Sequence, residues 1–327
     1  MRKNKWIVWA LLAPGLLVVA LTTTYPLLAA LYFSFHDYKL TSNVNWAIEM
    51  GGDSLINFVP SALSFNNYTK AFSDDRFINS VVVTLEFTII SVAMSVILGL
   101  AIALLLQKDG FWQRVTKSML IMPFAISAAL KGYSWRFMLN ENFGIFDLLI
   151  DNFIIVPMNF FIGLWNALPF GDLQEISTKI VWLGDAFWAK FMLAFSESWG
   201  WAPLIALMFL GALGSIDPHI FESARIDGAG NWALFRRITL PMLRPVLMII
   251  IMLKTIFSLK MFDQVVTMTG GGPIRATQTM NFYVHQVGFV RGLDIGYASA
   301  ISYILVIALT IVAAGYVMYL LKPEQGS

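Results

Sequence analysis

The sequence contains no cysteine and only three histidines. Without cysteine, the chain cannot form disulfides, use a thiolate nucleophile or bind a metal through sulfur. His36, His219 and His285 are far apart and form no H-E-x-x-H motif, so we expect no catalytic residues, metal site or cofactor. Charged residues are also scarce, at 13% of the chain against about 25% in soluble domains. A net charge of +2 gives no reason to expect a nucleic acid partner.

Apolar residues take the place of the missing charge. They make up 58% of the 327 residues and give a mean hydropathy of +0.70. They occur in long runs, and about 20 residues of helix are enough to cross a bilayer. Because lipid cannot satisfy an irregular backbone, we predict an all-α integral membrane protein, formed by a single transmembrane domain over 1–327. The six predicted transmembrane helices are 7–34, 80–106, 118–139, 187–213, 243–264 and 295–321.

The first apolar run follows Arg2, Lys3 and Lys5 and continues from Trp6 to about Phe35. A signal peptide has an apolar core of about 7–15 residues followed by small residues. This run is longer and ends in large side chains, so we expect it to be retained as the first span.

Lysine and arginine are distributed unevenly between the predicted loops. With the N-terminus in the cytoplasm, the inside segments are 1–6, 107–117, 214–242 and 322–327. The outside segments are then 35–79, 140–186 and 265–294. The inside segments are shorter in total yet hold more lysine and arginine. This is the asymmetry that the positive-inside rule requires, so both termini are expected in the cytoplasm.

The segment 140–186 contains no clear span. Its apolar patches at 153–156 and 160–165 are interrupted by Pro157 and Gly163, and neither patch is long enough to cross a bilayer. We expect short helices that lie at the outer membrane surface, with a re-entrant segment as the alternative.

The predicted loop at 214–242 begins with the signals of a short helix. Asp217 is placed as an N-cap and Pro218 as the first helical residue. The helix is expected to end near Ile226, because Gly228 allows the left-handed turn that often follows a helix.

A second short helix is predicted over 231–237, and Pro241 is expected to close the unit before the next span. Apolar side chains recur at helical spacing in both halves. They are Ile220, Phe221, Ala224, Trp232, Phe235 and Ile238. A compact apolar unit in a loop indicates a docking element, although a loop that merely joins two spans is the alternative.

The same stretch resembles the EAA loop of ABC importer permeases. That loop reads Glu-Ala-Ala, three residues, Gly, nine residues, Ile, one residue and Leu-Pro. The residues at these offsets are Glu222, Ala224, Gly228, Ile238, Leu240 and Pro241. The longer sugar-permease form, with Asp-Gly-Ala and Phe-Arg, is met by Asp227, Gly228, Ala229, Phe235 and Arg236. Ser223 replaces the first alanine, and its small side chain should preserve close packing.

The resemblance implies the type I ABC importer permease fold and a transport role rather than an enzymatic one. The chain would move a carbohydrate or carbohydrate-like solute across the bacterial inner membrane by alternating access. The expected partners are a second permease subunit, two cytoplasmic ATPase subunits that hydrolyse ATP, an external solute-binding protein and membrane lipid. The residues expected to couple to the ATPase subunit are Glu222, Ser223, Ala224, Asp227, Gly228 and Ala229.

A glycine-rich stretch, Thr-Gly-Gly-Gly-Pro at 269–273, resembles a segment of the maltose and glycerol-phosphate permease group. It is not a phosphate-binding loop, because no Gly-Lys-Ser or Gly-Lys-Thr follows at the required offset. The stretch is either a turn that folds the chain back or an outer gate near the solute. The resemblance to these permeases covers about 7–321 and is weakest at 140–186.

Polar side chains inside spans usually face a bundle interior or a cavity. The candidates are Glu86, Lys131, Arg136, Glu197, Lys254, Lys260 and Asp263. We expect Lys131 and Arg136 to extend to an interface. Lys260 and Asp263 are three residues apart and either form an ion pair or line the pathway. The predicted solute pathway comprises Lys260, Asp263, Gln264, Trp199 and Tyr303.

Three alternatives stay open. A secondary transporter has no use for a cytoplasmic docking loop, and the inverted repeat typical of many such carriers is not visible in the sequence. A membrane enzyme would need catalytic residues, for which the sequence offers no candidates. An ABC permease for another small polar solute would share the shorter loop pattern.

Overall fold

The computed structural model describes residues 5–40, 63–107, 110–166 and 180–320. Within these ranges all regular structure is helical, apart from an isolated bridge between Lys39 and Asp294. The all-α prediction is therefore confirmed.

Short π-helical segments join several of the α-helices. The α-helices are α1 (Lys5–Val19), α2 (Tyr25–Ser34), α3 (Asn66–Ser73), α4 (Asp75–Leu106), α5 (Phe111–Met119), α6 (Ile121–Ala125), α7 (Ala128–Met138), α8 (Ile145–Ile150), α9 (Val156–Asn166), α10 (Ala186–Gly214), α11 (Pro218–Ile226), α12 (Asn231–Leu234), α13 (Leu240–Leu259), α14 (Met280–His285) and α15 (Ile295–Leu320). The π segments are Ala20–Thr24, Asp151–Ile155, Phe235–Thr239, Val265–Thr269 and Gln286–Arg291.

Six helical stretches of the described residues are long and apolar enough to cross a membrane. They are Trp9–Ser34, Asp75–Leu106, Ile145–Asn166, Ala186–Gly214, Asn231–Leu259 and Ile295–Met318. The large apolar side chains that these stretches expose are suited to contact with lipid, which is as apolar as leucine. Five of the six overlap predicted spans, so the fold class is as predicted, but the third predicted span is different.

The predicted span at 118–139 is not a single helix. The chain forms α5, α6 and α7 there, and Ile126 adopts an extended conformation (φ −70°, ψ 130°). Ser127 stabilises the break by accepting a hydrogen bond from the N–H of Leu130. Serine is tolerated inside membrane helices, so Ser127 gave no reason to predict a break in this apolar run.

The prediction that 140–186 contains only short helices is wrong. Ile145–Asn166 is one helical stretch of 22 residues. Pro157 lies just after the π segment Asp151–Ile155, and a local π adjustment is one way in which a membrane helix accommodates a proline. The proline therefore does not end the helix, and the rest of this segment at 167–179 lies outside the described residues.

The fifth span begins earlier than predicted and ends at Leu259, not at 264. The N–H of Leu240 donates to the carbonyl of Phe235, a five-residue π spacing. Pro241 lies just after this π segment, at the start of α13, and such a local adjustment lets a membrane helix accommodate a proline. The prediction that Pro241 closes the loop is therefore wrong, because helical structure continues from Asn231 into the span.

The chain divides into two compact units, of which the second comprises 80–282 and 311–327. It contains two apolar cores, one around Leu193 and Val265 and the other around Phe209. α10 contributes to both cores and contacts α6, α7 and α13. This helix is the central element of the second unit.

The first unit comprises 1–79 and 283–310, and polar contacts hold its helix ends together. The Asn67 amide donates to the carbonyl oxygens of Ser34 at 3.1 Å and His36 at 2.9 Å. Lys70 and Asp294 form an ion pair at 3.3 Å. These contacts tie α3 to the end of α2 and to the start of α15.

Asp74 is a hydrogen-bond acceptor in the first unit. The hydroxyl of Tyr297 donates to its carboxylate at 2.8 Å, and the hydroxyl of Tyr283 donates to the same oxygen. Burial acts to raise the pKa of Asp74, but the hydrogen bonds outweigh it and hold the pKa below its ordinary value of 3.8. The carboxylate is therefore stabilised in its charged form.

Candidate functional site

Three segments of the second unit line a cavity of about 290 Å³. They are the α6–α7 junction, the middle of α10, and the end of α13 with the residues that follow it. The charged side chains that line the cavity are Lys131, Glu197, Lys260 and Asp263. The aromatic side chains that line it are Phe124, Trp201, Phe257 and Phe262. The cavity therefore offers ring faces and hydrogen-bonding groups together.

Glu197 lies between two lysines in the wall of this cavity. Its two carboxylate oxygens are 2.7 Å from Nζ of Lys254 and 3.2 Å from Nζ of Lys131. All three side chains are buried, with exposed fractions of 7% for Lys131, 7% for Glu197 and 1% for Lys254. This charge triad joins α7, α10 and α13.

Several contacts stabilise the buried charged groups of this triad. Burying a charge costs several kcal/mol unless an opposite charge compensates it, and Glu197 contacts both lysines although its single charge offsets only one of theirs. Lys254 also lies 5.0 Å from the ring centre of Trp201, within cation–π range. Gly200 leaves room for Lys131, because a Cβ atom at Gly200 would lie 2.6 Å from Nζ of the lysine.

The expectation that Lys131 and Arg136 extend to an interface is wrong for Lys131, which is buried, while Arg136 is exposed. Sequence spacing could not identify the partner of Lys131, because Glu197 is 66 residues away. The candidate Glu86 pairs instead with Lys190 at 2.5 Å on a more exposed surface.

Lys260 and Asp263 both line the cavity, but the structure does not bring their charged groups together as an ion pair. α13 ends just before Lys260, so the helical spacing on which the predicted ion pair depended is absent here. Nζ of Lys260 lies 5.0 Å from the ring centre of Phe257. The ion-pair interpretation is therefore not met, and a polar lining of the solute pathway stays a prediction.

The other three predicted pathway residues do not line the cavity. Gln264 is buried and donates to the hydroxyl of Ser196. Trp199 packs edge-on against Trp135 at 5.9 Å between ring centres. Tyr303 belongs to the first unit and donates to the carbonyl of Leu27 at 2.5 Å. Sequence analysis missed Phe124, Phe257 and Phe262, because aromatic residues are frequent throughout the spans.

The loop after α10 begins as predicted. The Asp217 carboxylate accepts a hydrogen bond from the N–H of His219 at 2.9 Å, and Pro218 is the first residue of α11. Gly228 adopts the left-handed conformation with φ +82°. The N–H of Gly228 donates to Arg225 at 3.0 Å, and the N–H of Ala229 donates to Ala224 at 2.9 Å. These two bonds form a Schellman motif, which fixes the end of α11.

The surface of this loop combines charge with exposed apolar groups. Ile226 is 86% exposed and Trp232 is 70% exposed. Glu222 is also exposed and lies 3.3 Å from the His219 ring nitrogen. Large exposed apolar groups next to charge are typical of a surface that binds a partner.

The glycine-rich stretch forms a closed turn. Gly270 and Gly271 have φ values of +60° and +82°, which favour glycine. The hydroxyl of Thr277 lies 2.6 Å from the carbonyl oxygen of Gly272, and its side chain is buried. This geometry favours the interpretation as a turn that folds the chain back.

Comparisons with known proteins connect these features to a family. The family described as "Binding-protein-dependent transport system inner membrane component" matches residues 95–325. The chain belongs to this family. It is a multi-pass permease subunit of the inner membrane, and its role in transport is as predicted. This result decides against the membrane enzyme and the secondary transporter.

Relatives of the permease are named for sugar transport. This permease is 31% identical to the trehalose/maltose transport system permease protein of Thermococcus litoralis, over 79% of this chain and 81% of that protein. It is 29% identical to the sulfoquinovosyl glycerol transport system permease protein of Agrobacterium fabrum, over 90% of this chain and 84% of that protein.

A solved structure shares the fold. It is the crystal structure of a bacterial ABC transporter involved in the import of the acidic polysaccharide alginate. The match has a TM-score of 0.74 and 17% sequence identity, and it covers 99% of this chain and 98% of that one. The type I ABC importer permease fold is therefore confirmed.

Proposed function

We propose that the permease moves a carbohydrate through the cavity and couples this movement to ATP hydrolysis on separate subunits. The observation that carries the proposal is the loop after α10, whose shape is fixed by the Schellman motif at Gly228 while Ile226 and Trp232 are exposed. A rigid loop with exposed apolar groups can transmit the movement of a bound partner to α10 and α13, which line the cavity.

The partner of this loop is an ATPase subunit in the cytoplasm. Glu222, Ser223 and Ala224 lie on α11 and supply the contact surface. Asp227, Gly228 and Ala229 form the turn that holds α11 in place. The complete importer would contain two ATPase subunits, a second permease subunit and an external solute-binding protein.

A carbohydrate is the solute that the cavity and the relatives support best. Sugars bind to proteins through ring faces and through many hydrogen bonds, and the cavity offers both. Trp201 and Phe257 supply ring faces, with their centres 4.9 Å apart. Lys260 and Asp263 supply hydrogen-bonding groups.

Uptake by the complete importer in proteoliposomes tests this function. ATP is placed on the side of the vesicle membrane that carries the ATPase subunits, and the solute-binding protein is placed on the opposite side. Under these conditions labelled sugars should be transported and amino acids should not. Accumulation of amino acids with no response to any sugar would favour a permease for another small polar solute. Uptake driven by an ion gradient without ATP would contradict the proposal.

Both termini are expected in the cytoplasm, with the loop after α10 on the same side. The chain has no cysteine, so single cysteines can report on topology. Ile274, which is 99% exposed, is the position to use on the outside, and Gly230 is the position to use on the inside. An impermeant thiol reagent added to intact cells should label Ile274→Cys and not Gly230→Cys, and the reverse pattern would overturn this orientation.

A further inference from the structure

The wall of the cavity carries an excess of positive charge. Lys131, Glu197, Lys260 and Asp263 line the cavity, and Lys254 is bound to Glu197 directly behind it. Three lysines therefore accompany two carboxylates among the described residues of this wall. An uncompensated charge inside a membrane protein is costly, and such charges usually serve a substrate or ion pathway.

Of the two lysines that contact Glu197, Lys131 is the one that lines the cavity, while Lys260 lies on the same wall as the oppositely charged Asp263. Lys254 is closer to Glu197, at 2.7 Å against 3.2 Å, and it does not line the cavity. It also has the Trp201 ring as a second partner. Lys254 is therefore enough to neutralise Glu197. An ammonium group has three N–H donors, and Glu197 accepts one of those of Lys131.

The start of α7 adds to the positive potential on the same wall. Ala128, the first residue of α7, lines the cavity, and Lys131 is one turn further along the helix. The N–H groups in the first turn of a helix have no acceptor within the helix, and they carry the positive end of its dipole. A helix start and a lysine together form a favourable site for an anion.

We propose that the cavity selects an acidic sugar, whose carboxylate or other anionic group pairs with Lys131. The inference rests on the proposed carbohydrate transport and specifies the class of solute. Glu197 acts as the positioning residue that holds the Lys131 ammonium group at the wall. The ring faces of Trp201 and Phe257 contact the body of the sugar, as they would for a neutral one.

A matched pair of probes tests the inference. Methyl glucuronide carries a carboxylate where methyl glucoside carries a hydroxymethyl group, and both can be titrated against the complete importer in nanodiscs. Binding to the folded state raises the melting temperature. We expect the glucuronide to reach half of its maximal effect at a concentration about tenfold lower, which corresponds to about 1.4 kcal/mol, because a charge-assisted hydrogen bond is stronger than a neutral one.

Lys131→Met should abolish this preference, so that both sugars act at the same concentration. The variant keeps the Lys254–Glu197 pair and is therefore expected to fold. Lys131→Arg keeps the charge and should keep the preference, even if the methionine variant is poorly folded. Lys190→Met is the matched control, because Lys190 pairs with Glu86 and does not line the cavity.

Two results would overturn the inference alone. One is an equal response of the unmodified importer to the two sugars, and the other is a glucuronide preference that survives in a folded Lys131→Met variant. Either result would leave the carbohydrate function in place. The absence of a response to both sugars would instead contradict the proposed function on which the inference rests.

Discussion

The cavity wall and the loop after α10 belong to the same compact unit but hold their charges in opposite ways. In the wall, Lys131, Glu197 and Lys254 are almost fully buried and depend on one another. In the loop, His219 and Glu222 are exposed and 3.3 Å apart. Water screens the loop pair but not the triad. Loss of the shared Glu197 carboxylate should therefore destabilise the protein, whereas loss of a charge in the loop should weaken only the binding of a partner.

Glu197→Gln should have the largest effect on stability. It leaves Lys131 and Lys254 buried without a carboxylate, and breaking a buried pair from one side costs about 3–5 kcal/mol. We expect a strong loss of folded protein in the membrane and a lower melting temperature in detergent. Glu86→Gln is the control, since its pair with Lys190 is partly exposed and should contribute about 0–1 kcal/mol. Equal stability of the two variants would contradict the expected difference between the buried triad and a more exposed ion pair.

Gly200→Ala should have an intermediate effect. Its new methyl group would displace the Lys131 ammonium group, which lies 2.6 Å from the position of the added Cβ atom. Overpacking of this kind costs about 1–3 kcal/mol, and the flexible lysine can reduce that cost by moving. Gly211→Ala on the same helix is the matched control, because nothing lies within 4 Å of its added Cβ atom. A melting temperature for Gly200→Ala equal to that of Gly211→Ala would show that Lys131 is not closely packed there.

Glu222→Ala should leave stability unchanged within about 0.5 kcal/mol, as expected for an exposed position. Its effect should appear in co-purification of the ATPase subunits, which we expect to be weaker than for the unmodified permease. His219→Ala removes the other half of the exposed pair and separates the role of the carboxylate from that of the pair. Full ATPase retention in Glu222→Ala would exclude this carboxylate as an important contact.

The smallest expected effect concerns pH and Asp74. Its pKa is lower in the folded protein than its ordinary value of 3.8, so the unfolded chain binds the proton first as the pH falls. The stabilisation is therefore complete above the unfolded pKa and is lost as the pH drops through the folded pKa. The difference between the thermal melts of the unmodified protein and Asp74→Asn should be largest at pH 6 and should shrink as the pH falls below 3.8. A constant difference across this range would contradict a role for the ionised carboxylate.

The loop was more predictable from the sequence than the cavity, and the reason is locality. Asp217, Pro218 and Gly228 act on backbone groups within a few residues of themselves, so their spacing predicted α11 and its end. The long apolar runs predicted five spans in the same local way. The prediction from Pro241 was wrong, because a proline accommodated within a continuous helix and a proline that ends a helix look alike in sequence.

The cavity depends on contacts between distant parts of the chain. Glu197 meets Lys131 and Lys254 across separations of 66 and 57 residues, and no pattern in a single sequence reports such a meeting. The break after Leu259 is equally hidden, since no glycine or proline lies beside it. The sequence identified the ionisable residues within the spans as candidates for a functional site. Only the fold shows which of them lie next to one another.

The most direct test of the account compares one variant from each region in the same assay. Gly228→Val forces a β-branched side chain into the left-handed conformation at φ +82°, whereas Gly230→Val is its control, with an ordinary φ of −73°. The permease variants would be co-expressed with their partners, purified, and measured for bound ATPase subunit. We predict that Gly228→Val inserts normally but loses the ATPase subunit, and that Lys131→Met and Gly230→Val retain it. Full retention in Gly228→Val, together with solute uptake at the parental rate, would contradict the assignment of this loop as the coupling element.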